Sequence, residues 1–355
     1  NWPRAMNRFG NLKIVQWLGE ISYPLYLWHW PVLVIPSVAW GRSLVAYELL
    51  ICVLLTALLA DLTHRFIEDP IRYSKPHPKL VIKSGAAATA ASLIMGGAIY
   101  LSFNDEIKLD NGRSYSVSEL IKRPVIYDDN CHVNNGETVS PECTYGDRGA
   151  KKKIVLFGDS HAAQWFPALE KLANENNFEL ISLTKSACPG PAVEKVDSGE
   201  YRNADCFAWR DNSLERIAKL KPYAVIFSGF QHFQVPDGYS SRREWWHAGQ
   251  RRTLDSLRGN ATHIVYITDT PHPKQDIPAC LAGGVISDCD DSERSEAISI
   301  PGLKAVNPTP WLCTDKCSSV INDQVAYRDG SHISIAMSES LAQPLGVALR
   351  RLGVL

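Results

Sequence analysis

Ser160 closes the run Lys153-Ile154-Val155-Leu156-Phe157-Gly158-Asp159-Ser160, and His161 follows it. The four apolar residues read as a buried strand, Gly158-Asp159-Ser160 as a turn, and residues 162–176 as a helix. A strand–turn–helix junction puts the turn at the carboxyl edge of a parallel sheet, where open α/β folds bind ligands. A serine hydroxyl there, close to a helix N-terminus, is placed to act as a nucleophile whose product carries an oxyanion. The same three residues also make an ordinary N-cap turn. A serine nucleophile needs a base within reach and a group that orients the base. The chain has ten histidines, and one stands apart, in Asp329-Gly330-Ser331-His332. An Asp three residues ahead of a His on a tight turn brings its carboxylate to the imidazole, fixes the tautomer and stabilises the imidazolium. Alone, this spacing is equally a capping turn before a helix over residues 334–352. If the two motifs work together, the Ser160 hydroxyl and a His332 ring nitrogen lie within about 2.6–3.5 Å.

The elements that must hold these residues alternate. Strands are expected at residues 154–157, 180–184, 224–228 and 264–268, and helices at 162–176, 211–220, 242–257 and 334–352. That order indicates an α/β fold with a parallel sheet covered on both faces. Long loops at 185–206, 231–241 and 270–319 bear Cys or Pro, and several follow strands directly, where they would wall a site around Ser160. Trp165, Phe166, Trp245 and Trp246 read as core, whereas His161 is open to two readings, a site-lining group or a structural contact.

The chain has 355 residues, room for two or three domains, and a formal net charge of -1, so electrostatics make no case for nucleic acid. Apolar stretches of membrane-spanning length occur at residues 21–40, with Pro24, Pro31 and Pro36 inside, at 44–63, and at 84–103. Arg65, Arg72, Lys75, Lys79 and Lys83 crowd the loop before the last of these, which places that loop in the cytoplasm and everything after residue 103 outside. The N-terminal Arg4, Arg8 and Lys13 fall on the cytoplasmic side as well. His29, an ionisable group in the first stretch between Trp28 and Trp30, is a functional flag or an interfacial residue. The expected organisation is a membrane part over 1–103, a linker over 104–150 and a soluble domain over 151–355. The chain opens at Asn1 without an initiator Met, which reads as the C-terminal part of a longer membrane protein.

Of the nine cysteines only Cys52 lies in an apolar run; the other eight all lie beyond residue 130. An even number in loop-like sequence, confined to one half, indicates disulfides in an oxidising compartment. Sequential pairing is expected: Cys131 with Cys143, Cys188 with Cys206, Cys280 with Cys289, and Cys313 with Cys317. A metal site on Cys313 and Cys317 is the alternative, but no second close Cys or His pair accompanies them.

Gly158-Asp159-Ser160 after the first strand of the soluble part, with Asp329-x-x-His332 before its last helix, resembles the SGNH (GDSL-like) hydrolase and esterase superfamily. The resemblance implies a flavodoxin-like three-layer α/β/α domain with Ser160 as nucleophile, His332 as general acid/base and Asp329 as its orienter. Gly158-Asp159-Ser160-His161-Ala162-Ala163-Gln164-Trp165 and Ser186-Ala187-Cys188-Pro189 look like the branch fused to membrane acyltransferases. Ile21-Ser22-Tyr23-Pro24-Leu25-Tyr26-Leu27-Trp28-His29-Trp30-Pro31-Val32 looks like the late-helix signature of the acyltransferase-3 family, and Phe66-Ile67-Glu68-Asp69-Pro70-Ile71-Arg72 like its C-terminal end. The early helices of that family, with the His and Arg that handle the acyl donor, have no counterpart before Asn1. The superfamily's Gly-x-Asn-Asp is also replaced, by Gly229-Phe230-Gln231-His232. Gln231 and Gly190 are the expected oxyanion donors beside the Ser160 amide.

The resemblance implies an O-acyltransferase, with acetyl as the expected group, acting on a cell-envelope polysaccharide such as lipopolysaccharide O-antigen. The expected location is a bacterial inner membrane, crossed by about three helices here, with the soluble domain periplasmic or extracellular. The expected partners are the glycan, membrane lipid and an acyltransferase core supplied with acetyl-CoA; no metal or cofactor is expected in the soluble domain. The alternatives are a carbohydrate O-acetylesterase, with water as second nucleophile, and a non-catalytic glycan-binding module.

Overall fold

The computed structural model describes all residues except 1–9, 40–43, 74–77, 103–105, 195–199 and 291. Arg4, Arg8, Trp40, Arg42, Lys75, Pro76 and Phe103, on which parts of the membrane reading rest, lie outside the described residues. The chain forms two compact units, Asn1–Asn104 and Asp105–Leu355.

The first unit is helical, over Lys13–Glu20, Ser22–Ala39, Ala46–Thr63 and Pro78–Ser102. The third of these runs on through a π turn, His64–Glu68, into Asp69–Tyr73. Among the described residues two helical stretches are long and apolar enough to cross a membrane, Ala46–Tyr73 and Val81–Ala98. They overlap the second and third expected spans. The first expected span folds as the 18-residue helix Ser22–Ala39, with Pro31 and Pro36 inside it, and is not among them. Polar groups here are paired: Trp17 Nε1 donates to Asp61 at 2.7 Å, Arg65 meets the same carboxylate at 2.8 Å, and Trp28 Nε1 donates to Thr63 at 2.9 Å.

The second unit is a three-layer α/β/α fold on one sheet that, among the described residues, has seven strands. In chain order they are β1 (His132–Val133), β2 (Thr144–Gly146), β3 (Lys153–Gly158), β4 (Glu179–Lys185), β5 (Ala224–Ser228), β6 (His263–Ile267) and β7 (Lys304–Val306). Across the sheet the order is β7-β6-β5-β3-β4-β1, all parallel, with β2 running antiparallel on β4 beside β1. After β3 the chain places β4 on one side and β5 on the other, so the topological switch lies at the carboxyl end of β3, where ligands bind in such sheets. Strands covered on both faces are apolar at every position. Ile154, Leu156 and Ile226 therefore fill one buried layer, while Val155, Phe157, Val225 and Phe227 fill the other.

The helices are α1 (Ser160–Ala163), α2 (Phe166–Asn176), α3 (Glu200–Leu220), α4 (Arg242–Leu257), α5 (Ile335–Ser340) and α6 (Ala342–Arg351). The helix expected over 162–176 breaks before Phe166. Pro167 lacks an N–H and is accommodated in the first turn of α2 rather than in a helix interior. Trp245 and Trp246 of α4 are buried, with their indole N–H groups donating to Glu194 O and Tyr266 Oη at 2.8 Å each, in line with a core role.

Residues 104–150 are more than a linker. They hold the hairpin Glu106–Lys108 with Ser114–Ser116, a turn of helix at Val117–Leu120, and both β1 and β2 of the main sheet. The four sequential disulfides form as expected. Cys131 directly precedes β1 and Cys143 directly precedes β2, so that bridge clamps the two short strands sharing one edge of β4. Closing a loop of this length stabilises a fold by about 2–4 kcal/mol. Replacing Cys131 and Cys143 together by Ala is expected to lower unfolding stability by about that much, read from the urea midpoint of the full chain in detergent.

Candidate active site

The site starts at the end of β3. Gly158 has φ +143, a conformation that side chains rarely adopt, and a Cβ there would overlap the Ser228 carbonyl oxygen and lie 2.9 Å from the Ala162 Cβ. The next residue, Asp159, is fully buried and caps α1. Its Oδ1 accepts from the His161 amide at 2.8 Å and its Oδ2 from the Phe230 amide at 2.9 Å. Ser160 is the first residue of α1 and is partly exposed. Its N–H has no acceptor inside the helix, as at every helix start, and it is the natural donor to an oxyanion built on its own hydroxyl.

His332 comes from the loop before α5, and its carboxylate partner is in place. Asp329 lies 2.9 Å (Oδ2) and 3.0 Å (Oδ1) from His332 Nδ1, and its Oδ1 also accepts the amides of Ser331 and His332 at 2.8 Å each. One carboxylate thus shapes the turn and sets the ring. The loop is tied to the end of the Ser160 turn by Gln164, four residues after Ser160, whose Oε1 accepts from the Ile333 amide at 2.9 Å. Ser334 caps α5. His332 Nε2 is buried and has no hydrogen-bond partner. The hydrogen bond expected from Ser160 to His332 is therefore not made; the hydrogen bonds of a general base commonly tighten only when a substrate is bound.

Burial pushes the His332 imidazole down, and the neighbouring His161 and Arg328 push in the same direction. Asp329 opposes them, and the outcome is a pKa of about 4. Burial raises the Asp329 carboxyl, but the hydrogen bonds from His332 and its own turn bring it well below the usual carboxylate range. At neutral pH the pair is a neutral imidazole beside a carboxylate, the protonation state a general base requires.

A second His–Asp pair stands beside the first. His161 Nδ1 meets Asp269 Oδ1 at 2.6 Å with both side chains buried, and the His161 and His332 rings lie 4.7 Å apart between centroids. Burial pushes His161 down, yet the Asp269 charge and hydrogen bond, with Asp159 and Asp329 nearby, leave it above its ordinary value. His161 is thus buried and partnered rather than merely lining the cleft. Asp269 escaped the sequence reading; its only local signal is its place two residues beyond the end of β6.

The two expected oxyanion donors are otherwise engaged. The Gly190 amide donates to the Ser228 carbonyl at 2.9 Å, and the residue is pressed so close that a Cβ would sit 2.7 Å from that oxygen. Gln231 donates its side-chain N–H to the Glu296 carbonyl at 3.0 Å and its backbone N–H to Asp269 Oδ2 at 2.9 Å, while its Oε1 is buried and unpartnered. His29, in the separate helical unit, donates from Nδ1 to the Tyr26 carbonyl at 2.6 Å.

The chain matches the model of the SGNH domain fused to AT3 domains over residues 130–345, well over half its length, and it belongs to that family. That match begins within the stretch read as a linker and takes in β1 and β2. The chain is 41% identical over 66 residues to the O-acetyltransferase OatA of Staphylococcus aureus (strain NCTC 8325 / PS 47), covering 18% of this chain and 11% of the relative. It is 27% identical over 119 residues to the peptidoglycan O-acetyltransferase OatA of Listeria monocytogenes, covering 28% of this chain and 19% of that one. The matched stretches thus span under a fifth of these relatives' length. Among solved structures, the periplasmic domain of a lipopolysaccharide acetyltransferase from Salmonella ser. Paratyphi A superposes with TM-score 0.47 at 15% identity, covering 66% of this chain and 94% of that one.

Two outcomes follow from the geometry. His332 must be neutral to accept a proton, so ester turnover falls as pH drops through its pKa near 4. Removing the adjacent positive charge in His161→Gln eases protonation of His332, and the acidic limb of kcat/KM for p-nitrophenyl acetate is expected to move to higher pH. Loss of an oxyanion donor costs about 10²–10³ in kcat. Gln231→Ala is expected to lose far less, because its amide already serves Glu296.

Proposed function

We propose that this chain carries an O-acyltransferase site that moves an acyl group, acetyl in the first instance, through a Ser160 ester to a hydroxyl of an envelope polysaccharide. The observation that carries the reading is His332 itself, with Nδ1 held by Asp329 and Nε2 buried without a partner beside the turn that bears Ser160. Ser160 Oγ attacks the acyl carbonyl as His332 Nε2 takes its proton. The tetrahedral oxyanion receives the Ser160 N–H, and collapse expels the donor's leaving group, which picks up the proton from His332. A glycan hydroxyl then gives its proton to His332 and attacks the acyl-serine. The second collapse returns the proton to Ser160 and releases the acylated glycan. Asp329 stays ionised throughout and stabilises the imidazolium.

Family membership and the acetyltransferase names of the relatives support transfer to an envelope polymer; peptidoglycan and lipopolysaccharide are the polymers those names contain. In this proposal the acyl group comes from an AT3 membrane core that draws on acetyl-CoA. The apolar stretches at residues 21–40, 44–63 and 84–103 anchor the chain in a bacterial inner membrane, with the SGNH domain on the outer face.

Incubation of the full chain in detergent with p-nitrophenyl acetate is expected to place an acetyl group on Ser160, read by peptide mass spectrometry and abolished in Ser160→Ala. With envelope glycan added, acetyl should appear on the sugar. Acetate release alone makes the protein a carbohydrate O-acetylesterase. Absence of both the adduct and ester turnover removes covalent catalysis and leaves a glycan-binding module.

A further inference from the structure

A second recess opens on the same edge of the sheet as Ser160. The register sets its position: Gly158 pairs with Thr184 across β3 and β4, and Thr184 pairs with His132 across β4 and β1. Gly158, Thr184 and His132 therefore lie abreast, and two strand spacings put His132 about 10 Å from the turn that carries the nucleophile. The recess has a volume of about 460 Å³, within the range of small-ligand sites, and is lined by Lys122, Arg123, Tyr127, Asp128, His132 and Asn134.

Its floor is rigid. The His132 ring is hydrogen-bonded to Thr184 Oγ1 at 3.0 Å and to Ser186 Oγ at 3.1 Å, and it stacks on Tyr127 with centroids 4.2 Å apart. Burial, with the cationic Arg328, Lys185 and Arg123 acting in the same direction, holds that ring neutral. Tyr127 in turn has two guanidinium groups against it, Arg123 and Arg328, each 5.5 Å from the ring centroid. Arg328 is only 4% exposed, its Nε is buried without a hydrogen-bond partner, and it stands 3.8 Å from Asp329 Oδ2. The recess and the Asp329–His332 pair thus share one buried cation.

The charges at the mouth select a ligand. Lys122 is paired with Glu119 at 2.5 Å. Arg123 is exposed and, among the described residues, makes no ion pair, so its planar fork is open to a carboxylate. Asp128 lines the same recess, an acceptor for sugar hydroxyls and a deterrent to a doubly charged phosphate. One open guanidinium with one carboxylate suits a singly charged, hydroxyl-rich group.

We propose that this recess is an acceptor subsite for a carboxylate-bearing sugar, which it holds about 10 Å from Ser160 so that a hydroxyl of an adjoining residue of the same glycan reaches the acyl-serine. This rests on the transfer reading above and specifies its acceptor. The test is calorimetric titration of the full-length Ser160→Ala protein in detergent with α-1,4-trigalacturonate and with its carboxyl-reduced counterpart, galactotriose. Trigalacturonate is expected to bind at least about tenfold more tightly, and the preference is expected to shrink at high salt. Adding Arg123→Ala erases the preference, and Arg123→Lys retains part of it; both sit on the surface, and unchanged thermal unfolding verifies the fold. Equal binding of the two sugars, a preference that survives Arg123→Ala, or no binding of either overturns the subsite. The Ser160 adduct is read separately. An adduct without an acid preference removes only the subsite, and an acid preference without an adduct removes only the transfer chemistry.

Discussion

Two buried carboxylates organise the cleft. Asp159 and Asp269 are both removed from water, and an ionised carboxylate in that position must be fully hydrogen-bonded or cost several kcal/mol. The loop after β5 meets that demand twice, because consecutive residues serve different acids: the Phe230 amide donates to Asp159 and the Gln231 amide to Asp269. Asp159 also takes the His161 amide and Asp269 the His161 ring. The Ser160 turn, the loop after β5 and the loop after β6 are thereby locked together. The same demand explains why Gln231 is a scaffold residue here, since its backbone and side chain are both committed before any substrate arrives.

The paired histidines show how one small volume shifts two imidazoles in opposite directions. His332 is held neutral by burial and by its positive neighbours, although it has a carboxylate on Nδ1. His161, more deeply buried, goes the other way because Asp269, Asp159 and Asp329 surround it. Environment rather than residue type separates the two rings, and His161 adds to the downward push on His332.

Much of this was legible in the chain. The four central strands announce themselves as short, mostly apolar runs, and Asp329 and His332 meet because three residues on a tight turn leave them little choice. β1, β2 and β7 are two or three residues long, too short for any periodicity, and they gain strand character only from β4 and β6 alongside. Asp269 lies 108 residues from the ring it holds, and its place just beyond a strand end does not single it out. Gly190 and Gln231 are expected as oxyanion donors from the family resemblance. Which hydrogen bonds their N–H groups make depends on where Ser228 and Glu296 come to rest, a matter of tertiary packing.

The four cross-links share a property beyond rigidity. Each joins neighbours along the chain, with separations of 12, 18, 9 and 4 residues, and none straddles another. The circuit is therefore strictly serial. In a chain made from its N-terminus into an oxidising compartment, this order would let each cysteine meet its own partner before the next pair appears. A domain wired in this way is suited to maturing while it is still being threaded across a membrane.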